Sequence, residues 1–422
     1  MKHPRLSSLT GSLLGSEILK IAADVRALGA EGVEICNLTV GDFAPSEFRI
    51  PGEVEQGIVE RLRNGETNYP PADGILALRE AVRTLYQREL DLDPPLASVL
   101  ITSGSRPGIY ATYRTLVDPG DRVVYPTPSW NNPYYVQLVG GVGVPVPVGP
   151  ESRFLPTRGL LTDAVRDARL LILCSPQNPA GTMFTEESLG AICDLVLDEN
   201  ARRAATERPL YVMYDQVYWT LTLEGRQHVH PVQLRPAMAP YTIYIDGASK
   251  SLAATGIRVG WVVAPEDLSG AMSALIGHMG AWAPKAEQGA VAEFLENAGA
   301  YSAFRDDMMA RVRERLDVLF TGLTHLRDEG LPVNVIAPEG TIYLSVQFAL
   351  QGRTTPDGTR LDGDEAVRAY LLRAAGLAIV PLRAFGSEED TGWFRLSVGA
   401  VSPGEIERVL PKVREALVAV SA

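Results

Sequence analysis

Lysine is scarce in this chain: five residues (positions 2, 20, 250, 285 and 412) stand against 34 arginines. Where a cation alone is needed the chain uses arginine, so a retained lysine points to a need for a primary amine. Arginine stays protonated and cannot condense with an aldehyde, whereas a lysine amine can lose its proton and do so. Cysteine is scarcer still. Cys36, Cys174 and Cys193 are odd in number and lack C-x-x-C spacing, which excludes a disulfide scaffold and predicts a reduced, cytoplasmic protein with buried thiols. Histidine offers one close pair, His228 and His230, in a polar segment with no Cys or carboxylate ligand spaced around it, so no metal centre is expected. No run approaches 18 uninterrupted apolar residues, and no apolar stretch follows Lys2-His3-Pro4-Arg5. Neither a membrane span nor a signal peptide is therefore expected. A net charge of -12 argues against nucleic acid as a partner.

At 422 residues, 46% of them apolar, the chain exceeds one ordinary domain and can bury a generous core. Residues 16–29 carry Ile18, Ile21, Ala22, Val25 and Leu28 at helical spacing, closed by Gly29. Further helices are predicted near 52–64 and 75–90. Seven short apolar runs then alternate with helical segments: 98–103, 121–126, 143–148, 169–174, 210–215, 241–246 and 258–263. Such runs suit an α/β fold with a mostly parallel seven-stranded sheet flanked by helices. Long helical segments follow between 285 and 328. From Thr341 onward, strand-like runs and helices surround a polar excursion from Gln351 to Asp364 and predict a smaller α+β lobe. The expected division is an N-terminal arm, part of the small domain, over 1–45, a large domain over 46–300, and an interdomain helix with the C-terminal small domain over 301–422.

Lys250 lies in Ser249-Lys250-Ser251, with Asp215 35 residues before it and Arg258 eight residues after. Thr102-Ser103-Gly104-Ser105-Arg106-Pro107-Gly108 follows a strand and opens a helix. The free N–H groups of such a start suit a phosphate, although taken alone it reads equally as an ordinary strand–helix turn. Asp215 ends a buried strand, where α/β sheets place ligands. A buried carboxylate needs a cation, and a protonated pyridine nitrogen is one, while a helix cap or a surface ion pair is the plainer use of an Asp. The guanidinium fork of Arg258 matches a phosphate. Trp130 follows another strand and suits stacking on a flat ring or simple core packing. Asn178, in Ser175-Pro176-Gln177-Asn178-Pro179-Ala180-Gly181, offers an amide donor or a turn residue.

In this order, with Asn68-Tyr69-Pro70-Pro71-Ala72-Asp73-Gly74, Asp215-Gln216-Val217-Tyr218, Thr255-Gly256 and Arg395-Leu396-Ser397, these elements resemble the class I aminotransferases of fold type I. The resemblance runs nearly end to end. It implies pyridoxal 5'-phosphate held through the amine of Lys250, which then moves the substrate's Cα proton. Asp215 would pair with the ring nitrogen, Tyr218 and Asn178 would bond the ring oxygen, and Trp130 would stack. The N–H groups of Ser105 and Arg106, the Ser249 hydroxyl and Arg258 would hold the phosphate. Tyr69 would reach that phosphate from a neighbouring subunit, implying a homodimer with shared sites. Arg395 would bind the substrate α-carboxylate beside Val40 and Gly41, with Asn178 and Trp130 close to the substrate.

The sequence also departs from the family pattern. A serine common three residues before the lysine is Gly247 here. The usual Gly-Glu-Pro-Asp loop reads Val40-Gly41-Asp42-Phe43, and Pro-Gly-Ser-x-Phe-Gly reads Pro381-Leu382-Arg383-Ala384-Phe385-Gly386. Gly247 and the polar loop look like the bacterial aspartate/prephenate subgroup, where a lysine after the glycine-rich turn meets the substrate's distal carboxylate. Arg106 falls at that place, and Arg383 is a second candidate for the task. The reaction implied is amino transfer from an L-amino acid, aspartate-like, to an α-keto acid. The alternatives are a β-lyase or other elimination on the same fold, distinguishable by ammonia and pyruvate release without a keto acid, and a non-catalytic regulator. An acidic chain whose first family-like helix begins near residue 16 argues against the regulator.

Overall fold

A computed structural model describes residues 5–13 and 17–420. The first long helix, α1, is Glu17–Ala30. The predicted start at Ser16 and the side chain of Ile18 lie outside the described residues. Gly29 does not close this helix, which continues through Ala30 before Gly32 turns with a positive φ of 86°.

The seven apolar runs form one sheet: β1 (Val99–Thr102), β2 (Arg122–Thr127), β3 (Val142–Pro147), β4 (Ala168–Cys174), β5 (Tyr211–Asp215), β6 (Thr242–Gly247) and β7 (Gly260–Val263). Their order is β1-β7-β6-β5-β4-β2-β3. Strands β2 to β6 pair in parallel, whereas β7 runs antiparallel to both β6 and β1. Every residue of β1, β6 and β7 is buried, as expected of strands covered on both faces. The edge strand β3 is mostly exposed and carries Pro145 and Pro147, which a central strand would not tolerate.

All strands but β7 point the same way, so Thr102, Cys174, Asp215 and Gly247 finish on one edge of the sheet. That edge is where ligands bind in open α/β sheets. Helices α2 (Leu76–Leu90) and α3 (Ser105–Leu116) flank this sheet; α3 starts directly off β1. A single turn, α4 (Ala248–Ser251), starts directly off β6. The predicted helical stretch from 285 breaks at Asn297, whose side chain accepts the Ala300 N–H and so starts a new helix, α5 (Ala298–Asp328).

The C-terminal lobe is an antiparallel sheet built from β8 (Val333–Val335), β9 (Tyr343–Phe348), β10 (Val380–Pro381) and β11 (Trp393–Ser397), in the order β10-β11-β9-β8. Its last helix, α6, is Pro403–Ala419. Cys36 and Asn37 pair in parallel with Leu377 and Ala378, which ties the N-terminal arm to this lobe. Leu38, Phe43 and Phe48 from the arm share one buried cluster with Tyr343, Phe348 and Phe394. Among the described residues no helix is long and apolar enough to cross a membrane.

Candidate active site

One cavity of about 810 Å³ opens at the strand ends. It is lined by Gly41, Ser105, Arg106, Trp130, Asn178, Asp215, Tyr218, Ser249, Lys250, Arg258 and Arg395, so eleven of the twelve expected site residues meet there. Tyr69 does not. It is 82% exposed and meets Trp282 edge to face, with ring centres 5.3 Å apart.

Lys250 projects from α4 into the cavity, where its Nζ donates to the Gly41 carbonyl at 2.6 Å and lies 4.0 Å from Asp42. Burial lowers its pKa to about 8; the Asp42 carboxylate opposes that fall, while Arg395 and Arg106 add to it. An amine so placed is neutral in an appreciable fraction near neutral pH, as nucleophilic and basic lysines require.

Asp215 is half-buried at the end of β5 and its side chain accepts only the Val217 N–H, at 3.2 Å; no cation among the described residues pairs with it. Desolvation raises its pKa to about 6. A carboxylate left this way at a cavity wall fits a ligand that brings its own positive charge.

At the opposite wall Arg258 is fixed by donation to the carbonyls of Thr255 (2.6 Å) and Ser103 (2.8 Å). Gly104, with φ 77° and ψ 174°, leads into α3, and a Cβ there would stand 2.1 Å from the Arg258 guanidinium. The first N–H groups of α3 have no intrahelical acceptor and open onto the cavity beside Arg258 and Ser249. This cradle fits a phosphate. Gly247 has an equally local reason: a Cβ at that position would stand 2.7 Å from the Gly260 Cα, so the serine common among relatives has no room here.

Arg395 rises from β11, only 2% exposed. It donates to Asn178 Oδ1 at 3.2 Å and to the Thr39 carbonyl at 2.9 Å, between the rings of Tyr343 and Phe385. Among the described residues its Nε has no partner and no carboxylate neutralises it. Burying an uncompensated ion costs several kcal/mol, which an incoming carboxylate offsets. Gly41 fits this approach closely, since a Cβ would stand 3.0 Å from the Tyr343 hydroxyl and 3.4 Å from Arg395, so either side chain would have to shift by a few tenths of an ångström.

Sequence reasoning missed Asp42, Tyr343 and Phe385, which also line the cavity. Tyr343 bonds the Tyr218 hydroxyl at 2.6 Å across 125 residues of chain. The expectation for Arg383 is corrected: its side chain is 60% exposed, pairs with Asp390 at 3.3 Å and does not line the cavity. Arg106 does line it, with its guanidinium 4.7 Å from the centre of the Trp130 ring. His228 and His230 are both buried; His230 bridges the Tyr244 hydroxyl and the Leu90 carbonyl, both at 2.9 Å.

Comparisons with known proteins identify the family. The family model for aminotransferase class I and II matches residues 33–413. The chain is 28% identical to an aspartate aminotransferase of Bacillus subtilis over 97% of its length and 98% of that protein's. It is 29% identical to an aspartate/prephenate aminotransferase of Thermus thermophilus, over 98% of both chains. The crystal structure of the aspartate aminotransferase from Rhizobium meliloti superposes with a TM-score of 0.90 at 28% identity, covering 99% of this chain and 100% of that one. Across nearly its whole length, the chain belongs to the class I and II aminotransferases and is a pyridoxal 5'-phosphate-dependent transaminase.

Proposed function

We propose that the enzyme takes the amino group of an acidic L-amino acid, aspartate-like, and passes it to an α-keto acid in a two-stage, ping-pong cycle. When bound, pyridoxal phosphate supplies an aldehyde carbon for the amine and a ring that draws electrons away from the substrate Cα. The chain's own residues supply the rest. Lys250 holds the cofactor and afterwards carries the proton at Cα; its lowered pKa suits both tasks. Asp215 would meet the ring nitrogen and keep it protonated. Tyr218 and Asn178 would bond the ring oxygen, and Trp130 would supply a flat wall. The α3 N–H groups at Ser105 and Arg106, with Ser249 and Arg258, hold the phosphate. Arg395, steadied by Asn178 and closed in by Gly41, takes the α-carboxylate.

The observation that carries this reading is the meeting in one cavity of a depressed lysine, an acid without a cation among the described residues and a buried guanidinium without an acid among them. Arg106 supports the acidic donor. It lines the same cavity, pairs with no carboxylate among the described residues, and stands where a second carboxylate of the substrate would meet it. The relatives named as aspartate aminotransferases agree in kind. A homodimer completes the proposal, because Tyr69 is exposed and outside the lining of its own cavity, where a partner's site would take it up. Cytoplasmic residence fits the reduced cysteines.

The test is a panel of amino donors against 2-oxoglutarate, repeated with Arg106→Ala. Aspartate or glutamate should lead, and the variant should lose them by about tenfold or more in kcat/KM while alanine turnover changes little. Equal losses for aspartate and alanine would remove the distal-carboxylate assignment. Arg395→Lys should raise KM for every donor and acceptor by about tenfold, because an ammonium does not reproduce the two-pronged contact.

A further inference from the structure

Behind the cavity lies a buried polar knot around Asp246, four residues before Lys250 and only 1% exposed. No cation pairs with Asp246 among the described residues. Its Oδ1 accepts the Gly247 N–H at 2.7 Å, and its Oδ2 accepts the Tyr86 hydroxyl at 3.0 Å and the Trp219 Nε1–H at 2.8 Å. The Tyr86 oxygen in turn accepts from Trp261 Nε1 and Gln216 Nε2, both at 3.1 Å. A phenol has one hydrogen and two lone pairs. With both lone pairs engaged, the Tyr86 hydrogen goes to Asp246. Every side chain or backbone group touching this carboxylate is therefore a donor, which suits the anion and leaves a carboxylic acid proton without an acceptor. Burial opposes the anion and raises the pKa of Asp246 to about 7, with the charge of Asp215 adding to the rise. The titratable groups facing it are Tyr86 from α2, Asp215 from β5 and Tyr301 from α5, and none of them brings a positive charge.

None of Asp246, Tyr86, Gln216 and Trp219 lines the cavity, yet three of the tied residues stand next to, or open the turn to, residues that do. Gln216 follows Asp215, Trp219 follows Tyr218, and Gly247 opens the turn that presents Ser249 and Lys250. The Asp246 carbonyl accepts the Ser105 hydroxyl at 3.1 Å, which joins the same turn to the first residue of α3.

We propose that Asp246 is a positioning residue for transamination, whose carboxylate ties the start of the Lys250 turn, through the Gly247 N–H, to Tyr86 of α2 and to Trp219 beside Tyr218. This rests on the reading that Lys250 carries the cofactor. Asp246→Asn places an amide where every partner donates, so the near-isosteric change is disruptive rather than silent. The holoenzyme variants Asp246→Asn and Trp219→Phe are compared with wild type for kcat and KM, for the pH midpoint of the bound cofactor's visible band, for cofactor dissociation and for Tm. In Asp246→Asn, kcat should fall by about tenfold or more with donor KM within about twofold. The midpoint should shift from the wild-type value, because the turn that sets the lysine nitrogen beside Gly41 and Asp42 is no longer held. Trp219→Phe should fall short of that kcat loss but in the same direction.

An Asp246→Asn enzyme with lowered Tm but wild-type kcat and midpoint per bound cofactor has lost only stability and overturns the proposal. If Asp246→Asn does not fold, Trp219→Phe with unaltered kcat overturns it equally. A wild-type band that is not tied to Lys250 marks failure of the underlying reading, which the variants alone do not produce.

Discussion

The amine of Lys250 stands 4.0 Å from the carboxylate of Asp42, although 208 residues separate them in the chain. Asp42 is itself held by the Thr255 hydroxyl at 3.0 Å and by the Phe43 N–H at 2.8 Å. Its charge works against the burial that depresses the lysine. Asp42→Asn should therefore lower the pKa of Lys250 further below about 8, so the neutral amine persists to lower pH. The ascending limb of the pH–rate profile should move down by up to about one unit. Movement upward would show that Asp42 does not act on the lysine.

Asp215 predicts a trade between stability and cofactor affinity. Its folded pKa, about 6, lies above that of an unfolded carboxylate, so without cofactor the folded state binds more protons between these values. Its contribution to stability is present at low pH and is lost as pH rises through about 6. Asp215→Asn should flatten that decline in the cofactor-free protein and leave Tm at about pH 7.5 equal or higher. Cofactor affinity should fall by roughly 10- to 100-fold, the scale of a lost charge-assisted bond. Thermal scans across pH, with and without cofactor, check both halves.

Gly104 predicts a defect confined to the phosphate cradle. Its φ of 77° and ψ of 174° lie in a region open essentially to glycine alone, and Arg258 fills the space a Cβ would need. Gly104→Ala should cost about 1–3 kcal/mol of stability. It should also raise the dissociation constant for pyridoxal phosphate more than that for unphosphorylated pyridoxal. Equal effects on the two ligands would place the phosphate elsewhere.

Much of this site was legible in the sequence because its residues sit at strand ends or in short irregular motifs with local signals. Asp215 ends an apolar run, Ser105 and Arg106 follow a glycine at a strand–helix junction, and Asn178 lies among prolines. Those signals placed the side chains on one edge of the sheet before any contact was known. Asp42 and Tyr343 carry no such mark. They reach the cavity because the N-terminal arm pairs at Cys36–Asn37 and because β9 packs beside β11, contacts that periodicity cannot express. The Asp246 knot is equally silent, since its members come from α2, β6, β7 and the loop after β5. Arg383 shows the converse error: motif position suggested the cavity, while Asp390, seven residues on, draws its side chain to the surface.

The account turns on Lys250 as the residue that bears the cofactor. Borohydride treatment of the holoenzyme, followed by peptide mass spectrometry, tests this most directly. The account predicts a pyridoxyl-phosphate mass fixed on the peptide containing Lys250 and its absence from that peptide in Lys250→Ala. The same mass fixed on Lys285 or Lys412 instead, or a Lys250→Ala enzyme with full turnover, would contradict it.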